Sequence, residues 1–310
     1  MSLSALARRS RLAVRHRLAL AGWQAKANVA LSAARFYELP ALDVDTFGRA
    51  RFAKHYANAP TPENRNDRFN PVAILRYHEF GYACRQILDD GPILDISSPR
   101  LLGLWLADQG RAVTMLNPDE RDLARTRRLS AYQGNQPTCT PGDARRLPFG
   151  NDAFASIYSL SVFEHIGTAG DPDGAEQQAI AELGRVLRPG GRAVLTVPVR
   201  PEHTDEFREH DYYGDAPEQT GRFFFQRHYS EASLRDRLLQ PAAAAGLEAV
   251  NREYVHETPV GWFDDYVERW QAMGLALTVF DPLLASRHWQ TASTHPTDRF
   301  GNCHITLVKP

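Results

Sequence analysis

From Ile93 to the C-terminus, short apolar runs alternate with longer segments of helical spacing. Runs of four to eight β-branched and aliphatic residues read as buried strands, and apolar residues three and four apart read as helices. Ile93–Ile96, Ala112–Leu116, Phe154–Leu160, Ala193–Val197, Leu247–Tyr254 and His304–Val308 are expected strands, with a short one around Cys139. Between them, Arg100–Gln109 sets Leu101, Leu102, Trp105 and Leu106 on one face, and Glu120–Tyr132 follows as a second helix. Ala175–Leu187 turns Ile180, Leu183 and Leu187 inward and is stopped by Pro189-Gly190-Gly191. Ser230–Ala245 is the next helix. Parallel strands need a long crossover, usually a helix that then covers the sheet. The expectation is an α/β fold: a seven-stranded, mostly parallel sheet with helices on both faces.

The flanks read differently. Residues 1–40 carry Arg8, Arg9, Arg11, Arg15, Arg17, Lys26 and Arg35 before the first acid, Glu38, with Leu and Ala between them. A helix is expected, and two readings stand open. One is an interfacial helix attracted to anionic lipid, with peripheral membrane contact through residues 1–40. The other is a helix packed on its own domain or on a second subunit. Residues 41–70 are polar and rich in Pro and Asn and read as a linker, and Pro71–Asp89 reads as helix. The expected division is an N-terminal helical extension and linker over 1–70 and one domain over 71–310. Two insertions interrupt that domain: a polar, aromatic one at 201–229 and two helices at 261–289.

The net charge of −1 offers no global field for nucleic acid. Cys84, Cys139 and Cys303 are far apart, which argues against a disulfide framework or a zinc site and suits a reducing cytoplasm. No apolar run approaches the roughly 18 residues of a membrane span.

Three segments carry chemistry. The first is GPILDISSPRLLGLWLADQG, Gly91–Gly110: a strand ending near Asp95, a tight turn, then a helix. The second is GDARRLPFGNDAFASIYSLSVFEHIG, Gly142–Gly167, and the third AELGRVLRPGGRAVLTVP, Ala181–Pro198. Taken in this order, they resemble the class I S-adenosylmethionine-dependent methyltransferases of the small-molecule type, with a Rossmann-like sheet. The resemblance covers residues 91–198 well, the end of the chain loosely and the first seventy residues not at all. It departs from the family where Ser97, Ser98, Pro99 and Arg100 replace the glycines of the first turn, and where Asn117 replaces an acid after the second strand.

The resemblance implies S-adenosylmethionine as cofactor. Asp95 is expected to accept from its amino group, and Ser97 or Ser98 to cap the following helix and supply contacts that glycine main chain supplies elsewhere. Asn117 accepts from a ribose hydroxyl, or is merely the turn before an N-cap at Asp119. Asp143, with the Ala144 N–H, fits the adenine edge. Glu164 and His165 follow the fourth strand, where the reactive methyl lies. His165 is the candidate base for a hydroxyl acceptor, or else a structural histidine bound to a carbonyl. The insertion supplies His210, Tyr212, Tyr213, Arg227, His228 and Tyr229 to a lid over the acceptor. No tight His/Cys spacing implies a metal. The leading function is methylation, on oxygen, of a small molecule, sugar or lipid-linked glycan. The rival is a non-catalytic scaffold on the same fold; a nicotinamide dehydrogenase is set aside because no G-x-G-x-x-G follows the first strand.

Overall fold

The computed structural model describes residues 21–58, 72–167, 174–211, 218–219, 221–273 and 278–310. Its main sheet has eight strands, one more than expected, in the order β10-β9-β11-β5-β4-β1-β2-β3. These are β1 (Ile93–Ile96), β2 (Val113–Asn117), β3 (Thr138–Pro141), β4 (Phe154–Leu160), β5 (Leu187–Val199), β9 (Glu248–Glu257), β10 (Trp289–Ala292) and β11 (Gly301–Val308). The five strands from β3 to β5 are mutually parallel, and β11 runs antiparallel between β5 and β9. The extra strand is β10, which follows the second inserted helix and pairs with β9 at the edge. A second sheet, β6 (Thr204–Arg208), β8 (Arg222–His228) and β7 (Glu218–Gln219), is antiparallel and forms the 201–229 insertion.

The helices are α1 (21–35), α2 (Leu42–Asn58), α3 (Arg76–Gln86), α4 (Leu101–Asp108), α5 (Glu120–Ser130) and α6 (Ala175–Val186). α7 spans Glu231–Ala244 with one wide turn over Arg235–Leu239, and α8 (Trp262–Met273) and α9 (Asp281–His288) form the second insertion. β4 keeps the expected limits. In contrast, β5 begins six residues early, because the Pro-Gly-Gly stretch is drawn into the sheet by the Gly190 N–H donating to Lys309 O and the Lys309 N–H donating to Gly191 O.

The segment read as a linker contains a helix. In α2 Asp43 and Asp45 lie in the first turn and His55 in the last, complementing the helix dipole. Asp45 pairs with Arg49 one turn on at 3.1 Å. Leu42, Val44 and Phe52 are buried in the same core as Ile93, Tyr158 and Val194 of the sheet. The Pro and Asn residues that suggested a linker fall after this helix, in 59–71. α1 turns Ala27, Ala30, Leu31 and Ala34 inward, a stripe at i, i+3, i+4 and i+7. The residues described thus pack this part of the basic segment onto its own fold; residues 1–20 lie outside those described. Gly81 of α3 shows how close the approach is: a Cβ there would sit 2.1 Å from Pro40 Cβ.

Strand alternation divides the core. Ile93 joins the cluster under α1–α4, while Leu94 and Ile96 join the opposite one, with Ile180 and Leu183 of α6 and Leu234 and Leu238 of α7. Because β1 leads to β2 on one side and β4 lies on its other side, strand order reverses at β1. Open sheets bind ligands beyond the carboxyl ends at such a reversal. Those ends are the Ser97 turn, Asn117, Pro141–Gly142 and Ser161.

Candidate active site

The turn after β1 keeps the shape of a glycine turn without glycine. Ser97 has φ 54°, the left-handed region that L-residues rarely enter, and donates its N–H to Leu116 O at 2.8 Å. Strain of this kind persists where surrounding structure enforces it, commonly at ligand sites. Neither serine caps α4, contrary to expectation: the cap position falls to Arg100, with no side-chain bond. The hydroxyls are used elsewhere. Ser97 Oγ donates to Leu116 O at 3.2 Å, and Ser98 Oγ accepts the Leu160 N–H at 3.0 Å, tying the turn to the end of β4. Ser98 is buried, so Ser98→Ala leaves the Leu160 N–H unmet. It is expected to lower unfolding free energy by about 1–3 kcal/mol, read by chemical denaturation.

Asp95 is buried and engaged within the protein. Its Oδ1 accepts the Ser98 N–H at 2.9 Å and its Oδ2 the Tyr158 hydroxyl at 2.9 Å. Burial pushes its carboxyl up to about 7, against the bonds from Ser98 and Tyr158. In this arrangement Asp95 braces the turn. The groups of the turn left for an anion are the N–H groups of 101–103, which precede the first donor within α4, Leu104 to Arg100 O.

At the end of β2, Asn117 Oδ1 accepts the Asp119 N–H at 2.9 Å, and Asp119 caps α5 by accepting the Arg121 N–H. This is the turn-and-cap alternative, but it includes a residue that the sequence did not single out. Asn117 Nδ2 donates to Asp122 Oδ2 at 3.2 Å, and Asp122 Oδ1 receives Arg100 from the β1 turn. Asp122, five residues beyond Asn117, is thus the acid that joins the end of β2 to the β1 turn. The sequence shows it only as an acid in the first turn of a helix, which the helix dipole already explains. Asp143 receives Arg145 through the main-chain N–H and the guanidinium, at 2.6–3.1 Å. Burial alone would raise its carboxyl, but Arg145 outweighs this and holds it below its ordinary value. Ala144 next to it is buried.

Glu164 and His165 occupy a single turn of 3₁₀-helix, Phe163–His165, after β4. His165 Nδ1 lies 2.7 Å from Phe225 O of β8, so Nδ1 donates and Nε2 carries the lone pair. Its ring stands edge-on to Phe225 at 5.2 Å, and burial pulls its pKa down to about 4. Nε2 is 3.9 Å from Glu164 Oε1. Burial pushes the Glu164 carboxyl up to about 8. A carboxyl shifted this way stabilises the fold fully below its ordinary 4.5 and loses that contribution as pH rises through about 8. Glu164→Gln, which cannot ionise, is thus expected to gain in melting temperature relative to the parent from pH 6 to pH 9. A constant difference across that range in thermal melts would refute the shift.

Behind this turn lies a cluster that sequence reasoning missed. Glu79 of α3 is fully buried. Its Oε1 accepts the hydroxyls of Ser161 at 2.5 Å and Thr196 at 2.7 Å and the amide of Asn302 at 3.2 Å, while Oε2 meets Arg76. Burial alone would raise this carboxyl. Arg76 and the two hydroxyls outweigh it and keep Glu79 below its ordinary value. The group joins α3, β4, β5 and β11 at the carboxyl edge. No local motif joins residues from four such separated segments.

The insertion residues separate. Arg227 is buried, donates to Ile166 O at 2.7 Å and lies 3.8 Å from both Glu176 and Asp205. Tyr229 is buried, with its hydroxyl 2.5 Å from Glu176 Oε1. Both anchor β8 to α6 and the 3₁₀ turn. His228 is half-buried, between Thr204 and Phe300, and burial lowers its pKa to about 4. His210 is exposed, and Tyr212 and Tyr213 lie outside the described residues. Among the described residues no group of His, Cys, Asp and Glu is arranged to hold a metal ion, and no helix is long and apolar enough to cross a membrane.

Residues 99–195 match the family model described as a methyltransferase domain. The matched segment, about a third of the chain, is similar to a methyltransferase domain. It includes the α4 start, Asp122, Asp143, Glu164 and His165. No curated protein matches the chain. Among solved structures, the [4+2]-cyclase SpnF is 19% identical, over 74% of this chain and 79% of its own, with TM-score 0.43. Geranyl diphosphate C-methyltransferase from Streptomyces coelicolor A3(2), solved with Mg2+, geranyl diphosphate and S-adenosyl-L-homocysteine, is 12% identical, over 76% and 79%, with TM-score 0.45. MccD protein is 12% identical, over 77% and 99%, with TM-score 0.47.

Proposed function

We propose that the protein binds S-adenosylmethionine at the carboxyl edge of β1–β3 and transfers its methyl group to an oxygen of a small molecule. The observation that carries this reading is the strained Ser97 turn: a left-handed bend maintained without glycine, opening onto the first N–H groups of α4. The polar set around it fits an adenosyl group: N–H donors at a helix start for the carboxylate, Asp122 with Asn117 for the ribose, Asp143 for the adenine amine. When bound, the cofactor supplies an electrophilic methyl. The chain's own residues orient the acceptor and exclude water. His165, its Nδ1–H held by Phe225 O, presents Nε2 to take a proton from the attacking hydroxyl. The β6–β8 sheet, anchored through Arg227 and Tyr229, holds that histidine in place.

Calorimetric titration of the full chain with S-adenosylmethionine and with S-adenosylhomocysteine tests the reading. Saturable binding weakened by Asp122→Ala is expected; no heat at millimolar ligand overturns it. One observation favours a second reading, a non-catalytic scaffold on this fold. Asp95, Asn117 and Asp143 all bond within the protein, and Arg100 reaches Asp122 across the crevice. On that reading neither ligand binds, and any membrane contact resides in residues 1–40. The three free cysteines support a reducing, cytoplasmic setting for either reading.

A further inference from the structure

We infer that Arg208 is a positioning residue for His165, acting through a β-bulge at Phe225. The role in catalysis rests on the methyltransferase reading; the geometry stands apart from it. The register of β6 and β8 runs from Thr204–His228 to Glu206–Gln226 and then straight to Phe207–Phe224. The additional residue of β8 is taken up at Phe225, which makes a β-bulge there. The side chains record it. Residues an odd number apart on a regular strand point to opposite faces. Phe224 and Arg227 are three apart, yet the Arg227 guanidinium lies 4.5 Å from the centre of the Phe224 ring, and both side chains are buried. The bulge brings them to one face. A bulge also disrupts the ladder locally, and such sites recur beside active sites. Here the carbonyl of the bulged residue serves His165: Phe225 O accepts the Nδ1–H at 2.7 Å.

Arg208 holds the bulge in shape. Its guanidinium lies 3.7 Å from the centre of the Phe225 ring. Glu206 fixes it there: Oε1 accepts from Arg208 Nε at 2.8 Å, and Oε2 accepts from Gln226 Nε2 at 2.6 Å. One carboxylate thus ties Arg208 of β6 to the residue that follows the bulge on β8. A planar guanidinium over an aromatic face is held by the ring quadrupole and by stacking. The His165 ring completes the stack, edge-on to Phe225 at 5.2 Å. The consequence for His165 is its tautomer. In a neutral imidazole, the nitrogen that keeps the proton is set by the hydrogen bond it makes. While Phe225 O takes the Nδ1–H, Nε2 keeps its lone pair and acts as a base. When the carbonyl swings away, the proton moves to Nε2 and the base is blocked. The charged and titratable groups facing the ring are Arg76 of α3, Glu206 and Arg208 of β6, and Glu164 in the same turn. Glu164 Oε1, 3.9 Å from Nε2, lies too far to fix the tautomer from the other side.

The test uses the full chain with nitrogen-15 in its histidines and reads the Nδ1 and Nε2 resonances of His165 at pH 7. Burial keeps the ring neutral there, with its pKa pulled down to about 4. His165→Ala identifies the signals. The parent is expected to show a protonated Nδ1 and an unprotonated Nε2. Arg208→Ala should shift the tautomer ratio towards Nε2–H roughly two- to fivefold, the factor that a partly exposed cation–π contact corresponds to. Arg208→Lys, which keeps a charge over the ring, should recover part of the change. Phe225→Leu should move the ratio as far as Arg208→Ala, and the double variant no further, since both changes remove one contact. A parent with its proton on Nε2, or an Arg208→Ala spectrum identical to the parent's, overturns the inference. So does a double variant whose shift is the sum of the two singles. If Arg208→Ala does not fold, Phe225→Leu decides in its place, and an unmoved His165 there overturns it. Calorimetric titration of the parent with S-adenosylhomocysteine separates the two readings. Binding with no tautomer shift removes this inference alone. No binding with the shift intact removes the methyltransferase reading and leaves the bulge as what sets the tautomer of His165.

Discussion

Glu79→Ala is expected to destabilise the protein by about 3–5 kcal/mol, the range for removing one member of a buried ion pair. The loss is large because one carboxylate serves four donors. Without it Arg76 keeps a charge that is only partly exposed, and the Ser161 and Thr196 hydroxyls and the Asn302 amide lose their acceptor. Ser161 is itself in the left-handed region, at φ 50°. The bond to Glu79 offsets part of that strain, so the end of β4 should loosen as well. Glu79→Gln keeps one acceptor oxygen for the hydroxyls but turns an amide NH₂ towards the guanidinium, and should fall between alanine and the parent. The double change Arg76→Met with Glu79→Gln should cost less than Glu79→Gln alone, since no uncompensated charge remains. Denaturant midpoints and slopes of the four proteins measure this. A loss below 1 kcal/mol for Glu79→Ala would mean that water replaces the carboxylate and that the cluster is not dry.

The contrast between Glu79 and His165 shows what a sequence discloses. His165 was legible because it follows an apolar strand within a few residues, in a run whose local order already indicated the carboxyl edge. Asp143 and the α4 start were legible on the same ground. Glu79 sits on a helix fourteen residues before β1, and three of its partners come from β4, β5 and β11. Nothing local marks such a convergence; it follows from sheet order, which brings β11 beside β5. Asp122 was missed for a milder reason. An acid in the first turn of a helix is adequately explained by the helix dipole, so its contact with Asn117 and Arg100 left no separate trace. The helix Leu42–Asn58 was hidden by the Pro and Asn residues that follow it, although Asp45 and Arg49 already had helical spacing. The eighth strand depends on pairing with β9 at the sheet edge, which a four-residue segment does not reveal by itself.

His165→Ala is expected to lower kcat on the methyl acceptor by 10²- to 10⁴-fold, the usual span for a general base. The histidine is tied by Nδ1 to a main-chain carbonyl, which fixes the tautomer and aims Nε2. Its removal deprives the acceptor hydroxyl of a proton sink without disturbing the ligand edge of β1–β3. Affinity for S-adenosylmethionine should therefore hold within a few-fold, and the loss should appear in kcat and not in cofactor binding. The pH profile adds a check that a merely structural histidine would not pass. With its pKa lowered to about 4 by burial, His165 keeps its lone pair throughout the neutral range. The acid limb of the rate should then lie near pH 4, well below the ordinary 6.5, and should disappear in the variant. A limb near 6.5 in the parent, or one that survives the substitution, assigns the proton to another group. In that case the candidate is Glu164, 3.9 Å away, whose raised carboxyl would put the limb near pH 8 instead.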